Sequence, residues 1–444
     1  MKTKIRDLLI FNLIAVTFLY CYMFILYPEN FSFFVCNEFV SNYSEYFKIT
    51  FFIPISCDLE LYLLGVRDIS SIVEFDYNYQ TRPMYLLYLK IFYFLFKNFI
   101  VNVTLLNFIT FLTAHLVIVN ITFFIFINSF NRNKLFLSNW RKYSALFIML
   151  LNPIFKFGIF DSSHQTLTFL QLVLSFYLLQ KNITLNKKGY FIAFILGLLS
   201  LTNMTFMICT FFLIFSNFKN KDINLNLIMR SIFVVIIVIL PKIFWNYYIS
   251  YQGFEPYNAA IEYWRQFIWL KDFFLVSYEN INYNVEEVEY YCMSVPLFMK
   301  CYLRDFLNTL IYLGGPVILI IINLIFEKDS KSKEYSKDLK NIIFVSLSMF
   351  SFWAFMGWYP PLRLNLYSLG FLVTLILVTQ LLNNSPTKRE NLYFSIHFLY
   401  FLSLNHWNNV DIVNFNFGIL TSYVLIVVYL LSMSIVELLQ FSKV

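Results

Sequence analysis

The sequence predicts an all-α polytopic membrane protein. Hydrophobic residues make up 59% of the 444 residues and charged residues only 13%, and a water-soluble domain of this composition would expose large apolar patches. Apolar segments recur along the whole chain, and about twenty apolar residues are needed for each crossing of a bilayer. Because these segments are long and continuous, we expect helices and not the short alternating strands of a membrane barrel.

The first apolar segment, residues 8–27, follows Lys2, Lys4 and Arg6. It is too long for a signal peptide and no small-residue cleavage site follows it. We therefore expect a retained helix with its N-terminus in the cytoplasm. A long external loop, about residues 28–82, comes next, and a short helix is expected at residues 84–96.

The rest of the chain brings the total to about 11 to 12 transmembrane helices in one domain, a helical bundle over residues 1–444 with a second external loop at 249–305. Residues 191–215 have basic residues on both sides, so they must cross twice, as two short helices broken near Thr202 and Asn203, or not cross fully. Other spans are expected at residues 103–127, 145–160, 166–179, 232–248, 307–326, 342–358, 366–382, 392–404 and 417–440.

The charges test this layout, because cytoplasmic loops accumulate Lys and Arg. The segments assigned to the cytoplasm hold 21 basic and 7 acidic residues, whereas the external segments hold 8 basic and 18 acidic residues. One orientation therefore separates the two signs. The net charge of +7 is explained as an orientation signal, and nucleic-acid binding is not expected.

The first external loop carries the residues best suited to chemistry. Asp58, Glu60 and Asp76 are candidate general bases, because a carboxylate can take a proton from a hydroxyl acceptor. Arg82 offers a planar fork of donors that suits a phosphate. The loop also contains Tyr62, and it ends in Arg82-Pro83-Met84-Tyr85. An Arg-Pro pair equally suits the start of a helix at a membrane interface.

This arrangement resembles the first external loop of the GT-C superfamily of membrane glycosyltransferases, of the O-mannosyltransferase and aminoarabinose transferase type. The resemblance implies that Asp58 is the general base, that Glu60 is its polar neighbour or a metal contact, and that Arg82 anchors the loop or the donor phosphate. Asp58 lies later in the loop than is usual for the family, and no adjacent Asp-Glu pair is present. The choice between Asp58 and Asp76 therefore stays open.

Shorter patterns further along are similar to the same family. Asn152-Pro153 precedes an external turn with Asp161 and His164, and Gly197 opens a run that ends at the expected helix break. Near the last third, Tyr359-Pro360-Pro361-Leu362-Arg363 follows the same resemblance, which implies that Arg363 contacts the donor phosphate. His164 is also explained as a polar interface residue, and His115 and His397 show no metal-ligand spacing.

Two lysines, Lys156 and Lys242, lie in or near apolar spans. A cation there usually faces a cavity or a partner, or extends to the interface. They are candidates for holding a phosphate, together with Arg82 and Arg363. Tyr62, Tyr85, His164 and Asp161 are expected around the same cavity.

The resemblance implies an enzyme that transfers a sugar, with inversion, from a polyprenyl-phosphate donor to a glycan, lipid or protein acceptor on the external face. The alternatives are a polysaccharide polymerase or ligase, or a transporter or flippase of lipid-linked sugars. No cofactor is assigned, and a role for a divalent cation stays open. The expected location is a bacterial inner membrane, with the endoplasmic reticulum as the alternative.

Overall fold

The structure, a computed structural model, describes residues 12–14, 17, 66, 80, 82–101, 103–130, 139–151, 166–220, 223–256, 333–356, 374–381, 391–392, 394–399 and 431. These residues form helices and the turns between them, and no strand occurs among them. The coordinates fall into two compact units, Met1–Tyr257 and Asn258–Val444.

Seven described α-helices belong to the first unit. They are α1 (Pro83–Phe96), α2 (Val103–Ser129), α3 (Asn139–Leu151), α4 (Thr166–Lys181), α5 (Lys187–Ser200), α6 (Ile208–Asn220) and α7 (Leu225–Tyr251). A 3-10 turn, Met204–Met207, lies between α5 and α6. The helix break predicted near Thr202 and Asn203 is therefore confirmed.

The second unit contains α8 (Lys333–Met356) and the helical segments 374–381, 391–392 and 394–399. The span predicted to begin at residue 342 thus belongs to a helix that already begins at Lys333. Lys337 and Lys340 on its first turns are exposed, while Asp338 between them is buried. Lys, Leu and Glu are good helix formers, which lets the helix extend into the charged connection.

Two of the described helical segments are long and apolar enough to cross a membrane, Ile109–Ser129 and Leu225–Tyr251. The apolar helices Pro83–Phe96 and Thr205–Lys219 are shorter. The predicted all-helical composition is confirmed for the described residues, together with two helices of membrane-spanning length.

Asparagines begin three of the helical elements. Asn186 Oδ1 accepts a hydrogen bond from the backbone N–H of Lys188 at 3.0 Å, and Asn224 Oδ1 accepts one from Leu227 at 2.8 Å. Asn203 caps the 3-10 turn in the same way. Asn is among the best N-cap residues, because its side chain satisfies an N–H group that the helix leaves without a partner. These caps fix where α5 and α7 begin.

Glycine allows α5 and α7 to pack closely. A Cβ atom on Gly197 would lie 2.7 Å from the Val238 carbonyl oxygen and 2.9 Å from Pro241 Cγ. Pro241 lies inside α7, where its own N–H is absent. A larger residue at position 197 would force the two helices apart.

Candidate functional site

Contacts between the helices fix their relative directions. Near the start of α4 and α6, Thr205 bonds to Gln171, and near their ends Asn217 bonds to Ile183. Because the starts of the two helices are neighbours and so are their ends, α4 and α6 run parallel. The helix α2 runs in the same direction as α4. His115 contacts Thr166, and further along both helices Phe126 contacts Phe176.

The helices α5 and α7 run in the opposite direction, as a second parallel pair. Tyr190 contacts Phe233 near the start of both helices, and Gly197 meets Pro241 further along. We call the end of the bundle where α5 begins the Lys187 end, and the end where α7 finishes the Tyr251 end. Basic residues gather at the Lys187 end: Lys181, Lys187, Lys188, Lys219 and Arg230.

The start of α1 and Gln80 before it are held by two neighbouring helices, α7 and the end of α5. Trp245 Nε1 on α7 donates a hydrogen bond to the Gln80 carbonyl oxygen at 2.8 Å. The backbone N–H of Met84 donates to the carbonyl oxygen of Leu201, just after α5, at 3.3 Å. Tyr85 packs into the bundle with 1% of its surface exposed. Arg82, between these anchors, is therefore fixed in place at its backbone.

His115 links the same segment to α2 and α4. Its Nε2 lies 3.4 Å from the Tyr85 hydroxyl, and its Nδ1 lies 2.8 Å from Thr166 Oγ1. His115 and Thr166 are fully buried. Both ring nitrogens thus have a polar neighbour, which offsets the cost of burying an imidazole in an apolar bundle.

These contacts lie at one level of the bundle. At 1.5 Å per residue, Leu201 lies about 21 Å from Lys187, Thr166 about 22 Å from Lys181, and His115 about 21 Å from Ser129. Lys242 lies about 25 Å from the start of α7 by the same measure. Gln80 and the start of α1 therefore contact the other helices well inside the bundle, closer to the Tyr251 end.

Two cations lie near this level. Arg82 is the N-cap residue of α1, but its side chain does not cap the helix. Lys242 is half-buried and precedes Trp245 by three residues, so both lie on the same face of α7. Since Trp245 bonds to Gln80, Lys242 lies close to the segment that carries Arg82. Among the described residues, no carboxylate pairs with Lys242.

The turn between α5 and α6 is polar and satisfies its own backbone. Ser200 Oγ donates to the Gly197 carbonyl oxygen and Thr202 Oγ1 to that of Leu199, both at 2.6 Å. Thr205 Oγ1 lies 2.7 Å from Asn203 Oδ1. Helix ends inside an apolar bundle need such partners, because no bulk water is there to supply them.

Of the predicted site residues, the structure describes Arg82, Tyr85 and Lys242. Arg82 and Tyr85 lie at the start of α1, and Lys242 lies three residues before Trp245, whose indole N–H bonds to Gln80. The others lie outside the described residues: Asp58, Glu60, Asp76, Tyr62, Lys156, Asp161, His164 and Arg363. Within the described part of the chain, no group of His, Cys, Asp and Glu side chains is arranged to hold a metal ion.

Sequence reasoning missed the role of His115, which it treated as an isolated histidine. The contacts with Tyr85 and Thr166 join residues 30 and 51 positions away, and no local pattern predicts them. The missed role of Trp245 has the same origin, since its partner Gln80 is 165 positions away. The one available signal for a role of His115 was that it is a polar residue in an otherwise apolar span.

Comparisons with models of protein families, with curated proteins and with solved structures find no match to this chain.

Proposed function

We propose that the protein is an integral membrane glycosyltransferase of the GT-C type. It transfers a sugar from a polyprenyl-phosphate donor to a glycan, lipid or protein acceptor on the external face. The observation that carries this proposal is the start of α1, where Trp245 bonds to Gln80 and Leu201 bonds to Met84 on either side of Arg82, with the half-buried Lys242 three residues before Trp245 on α7. Cations at these two positions of an apolar bundle suit the phosphate of an amphiphilic donor.

The orientation of the helices supports this location. Five basic residues, at positions 181, 187, 188, 219 and 230, lie at the Lys187 end of the bundle, and cytoplasmic loops are rich in Lys and Arg. The Tyr251 end of α7 carries the exposed aromatic residues Tyr247, Tyr248 and Tyr251, which suit a membrane–water interface. In that orientation the Arg82 junction is nearer the external face.

The exposed surface of α7 supports contact with lipid. Its buried residues include Leu227, Val234 and Val238, while the exposed residues are also apolar, among them Ile232, Ile243 and Phe244. A helix that is apolar on all sides favours a lipid environment. An isoprenoid tail would find the same environment beside Lys242.

In the proposed reaction, the carboxylate of Asp58 or Asp76 takes the proton of the acceptor hydroxyl. The acceptor oxygen then attacks the anomeric carbon from the side opposite the phosphate, and the bond from that carbon to the phosphate oxygen breaks. The polyprenyl phosphate leaves with the bonding electron pair, and Arg82 and Lys242 stabilise its negative charge. The resemblance implies that Glu60 is a polar neighbour of Asp58 or a metal contact, and Arg363 and Lys156 are further candidates for the phosphate.

The test uses the full chain in liposomes with a radiolabelled polyprenyl-phosphate hexose and an extract that contains glycan, lipid and protein acceptors. We expect transfer by the wild type and none by whichever of Asp58→Asn and Asp76→Asn removes the base, with folding retained. Arg82→Gln and Lys242→Gln should each weaken binding of polyprenyl phosphate by about tenfold or more, which corresponds to about 1.4 kcal/mol.

Lys97→Gln is the matched control, because Lys97 lies at the other end of α1 with its ammonium 3.9 Å from the Phe94 ring centroid. It should bind the lipid phosphate as the wild type does. Equal binding by all three charge variants would contradict the assignment of the phosphate site. Full transfer by both Asp58→Asn and Asp76→Asn would exclude both proposed bases.

A transporter or flippase of lipid-linked sugars is the second candidate, and the break between α5 and α6 favours it. Transporters often place their substrate sites where membrane helices are interrupted. The same liposomes separate the two functions. A flippase would move the labelled lipid between leaflets without breaking its sugar–phosphate bond, whereas a transferase releases polyprenyl phosphate.

A further inference from the structure

We infer that the first turns of α5 and α7 form a binding surface for the headgroup of an anionic phospholipid, in the leaflet at the Lys187 end. The residues that carry this surface are Lys187, Lys188 and Arg230, and all three are exposed. The inference takes the membrane location from the proposed function and does not depend on sugar transfer.

The cations on the two helices are neighbours. Tyr190 on α5 and Phe233 on α7 have ring centroids 5.0 Å apart. Lys187 precedes Tyr190 by three residues, and Arg230 precedes Phe233 by the same interval. On parallel helices both cations therefore lie about one turn closer to the Lys187 end than this ring contact. Arg230 Nη1 also donates to the Leu185 carbonyl oxygen, just before α5, at 3.4 Å. Lys187 and Arg230 thus lie next to each other.

Contacts within the protein hold the Arg230 guanidinium without neutralising its charge. Its Nε donates to Asn226 Oδ1 at 3.1 Å, and its Nη1 donates to the Leu185 carbonyl oxygen. Both acceptors are neutral, and these described bonds use two of the five N–H groups. An arginine that is already held in place loses less side-chain freedom when it binds the oxygens of a phosphate.

The positive charge at this surface has few acidic residues to balance it. From residue 166 to residue 254 the sequence contains one acidic residue, Asp222, which lies outside the described residues. The first turns of α5 and α7 hold none, and α5 begins with Lys187 and Lys188. A helix N-terminus carries partial positive charge, so cations there are unfavourable and an anion is favourable. The preference of basic residues for the cytoplasmic side does not remove this local cost.

Exposed apolar side chains lie one turn deeper than the cations. Phe191 follows Lys187 by four residues and is 65% exposed, and Phe233 follows Arg230 by three residues and is 48% exposed. Charge at the end of the bundle with exposed apolar surface below it matches the order of groups in a phospholipid. A soluble phosphate would contact only the cations, so we assign the surface to a lipid.

Photocrosslinking in membranes tests this assignment. The full chain is placed in phosphatidylcholine liposomes that contain a small fraction of either phosphatidylglycerol or phosphatidylcholine with a photoactivatable acyl chain. Mass spectrometry then quantifies the crosslinked peptides. We expect peptides from residues 187–195 and 228–236 to prefer phosphatidylglycerol by about fivefold or more. Lys187→Gln and Arg230→Gln should each lower this crosslinking by about fivefold, the effect of one Lys or Arg at an anionic membrane surface.

Lys219→Gln is the matched control, because Lys219 is also exposed at the Lys187 end but lies on α6. It should change the crosslinking little, and Arg230→Lys, which keeps the charge, should retain most of it. Equal losses in the three Gln variants would indicate only a diffuse surface potential and would overturn the inference. Equal crosslinking of the two lipids would do the same, as would full displacement by soluble glycerol phosphate.

The two proposals can fail separately. If the wild type shows the expected crosslinking but transfers no sugar, the proposed reaction is rejected and the lipid surface is retained. If the wild type transfers sugar but does not distinguish the two lipids, the lipid surface is rejected and the reaction is retained. A chain that does not insert into the liposomes would contradict both.

Discussion

His115 Nδ1 lies 2.8 Å from Thr166 Oγ1, so a hydrogen bond joins α2 to the first residue of α4. The same imidazole approaches the Tyr85 hydroxyl on α1. Three helices are thereby connected at the level where the first loop ends. This connection holds the start of α1, and Arg82 with it, in a defined position.

The bond between His115 and Thr166 should contribute measurably to stability. In a double-mutant cycle with His115→Leu and Thr166→Val, we expect a coupling energy of about 0.6 kcal/mol, and at most about 1.7 kcal/mol, as for other hydrogen bonds between membrane helices. Unfolding in detergent micelles measures it. Thr113→Val is the control, because the Thr113 hydroxyl donates to the Ile109 carbonyl oxygen of its own helix. The control cycle combines Thr113→Val with His115→Leu and should give almost no coupling energy. An equally small coupling energy between His115 and Thr166 would contradict the prediction.

Replacing Gly197 should separate α5 from α7. In Gly197→Ala the new Cβ would lie 2.7 Å from the Val238 carbonyl oxygen, so we expect a loss of about 1 to 3 kcal/mol in unfolding free energy. Ile195→Ala on the same helix removes atoms from a side chain that is 38% exposed and should cost less. If Gly197→Ala unfolds with the wild-type free energy, the close contact of the two helices is wrong.

Trp245→Phe should loosen the segment that carries Arg82. The variant keeps an aromatic ring next to Tyr248 but loses the N–H that donates to the Gln80 carbonyl oxygen. Because the acceptor is a backbone atom, Gln80→Cys retains the bond and reports on it. We expect maleimide to label Gln80→Cys several times faster when Trp245→Phe is added, since Gln80 is buried in the intact segment.

Tyr248→Phe is the matched control for that measurement. It changes a neighbouring aromatic residue on α7 and leaves the Trp245 hydrogen bond intact. Labelling of Gln80→Cys should then match that in the otherwise unchanged chain. If both variants accelerate labelling equally, the Trp245 bond is not what holds the segment.

Lys242 should affect stability and binding in opposite directions. An ammonium group in an apolar helix is costly, so Lys242→Met should leave the unfolding free energy unchanged or raise it by about 1 to 2 kcal/mol. The same variant should bind polyprenyl phosphate more weakly. Lys219→Met, at the exposed end of α6, should change neither quantity by much. A large loss of stability in Lys242→Met would indicate a structural role for this lysine.

The sequence by itself determined that the described residues are helical and where α5 is interrupted. The helix α3, predicted at residues 145–160, instead covers Asn139–Leu151. Apolar runs of sufficient length, bounded by basic residues and by capping asparagines such as Asn186 and Asn224, are local signals. The short helices were also predictable, because the basic residues on both sides of 191–215 left no room for one full crossing. The start of α8 at Lys333 was not predictable in this way, because helix propensity extends α8 into a charged run.

Only the tertiary structure decided which polar residues meet. Trp245 and Gln80 are 165 positions apart, and His115 and Thr166 are 51 apart. Helices that are apolar on all sides do not reveal from their sequence which face contacts a neighbour, because burial in protein and exposure to lipid favour the same residue types. The junction around Arg82 therefore depends on how the helices pack, and packing at Gly197 and Pro241 is decided by shape and not by hydrophobicity.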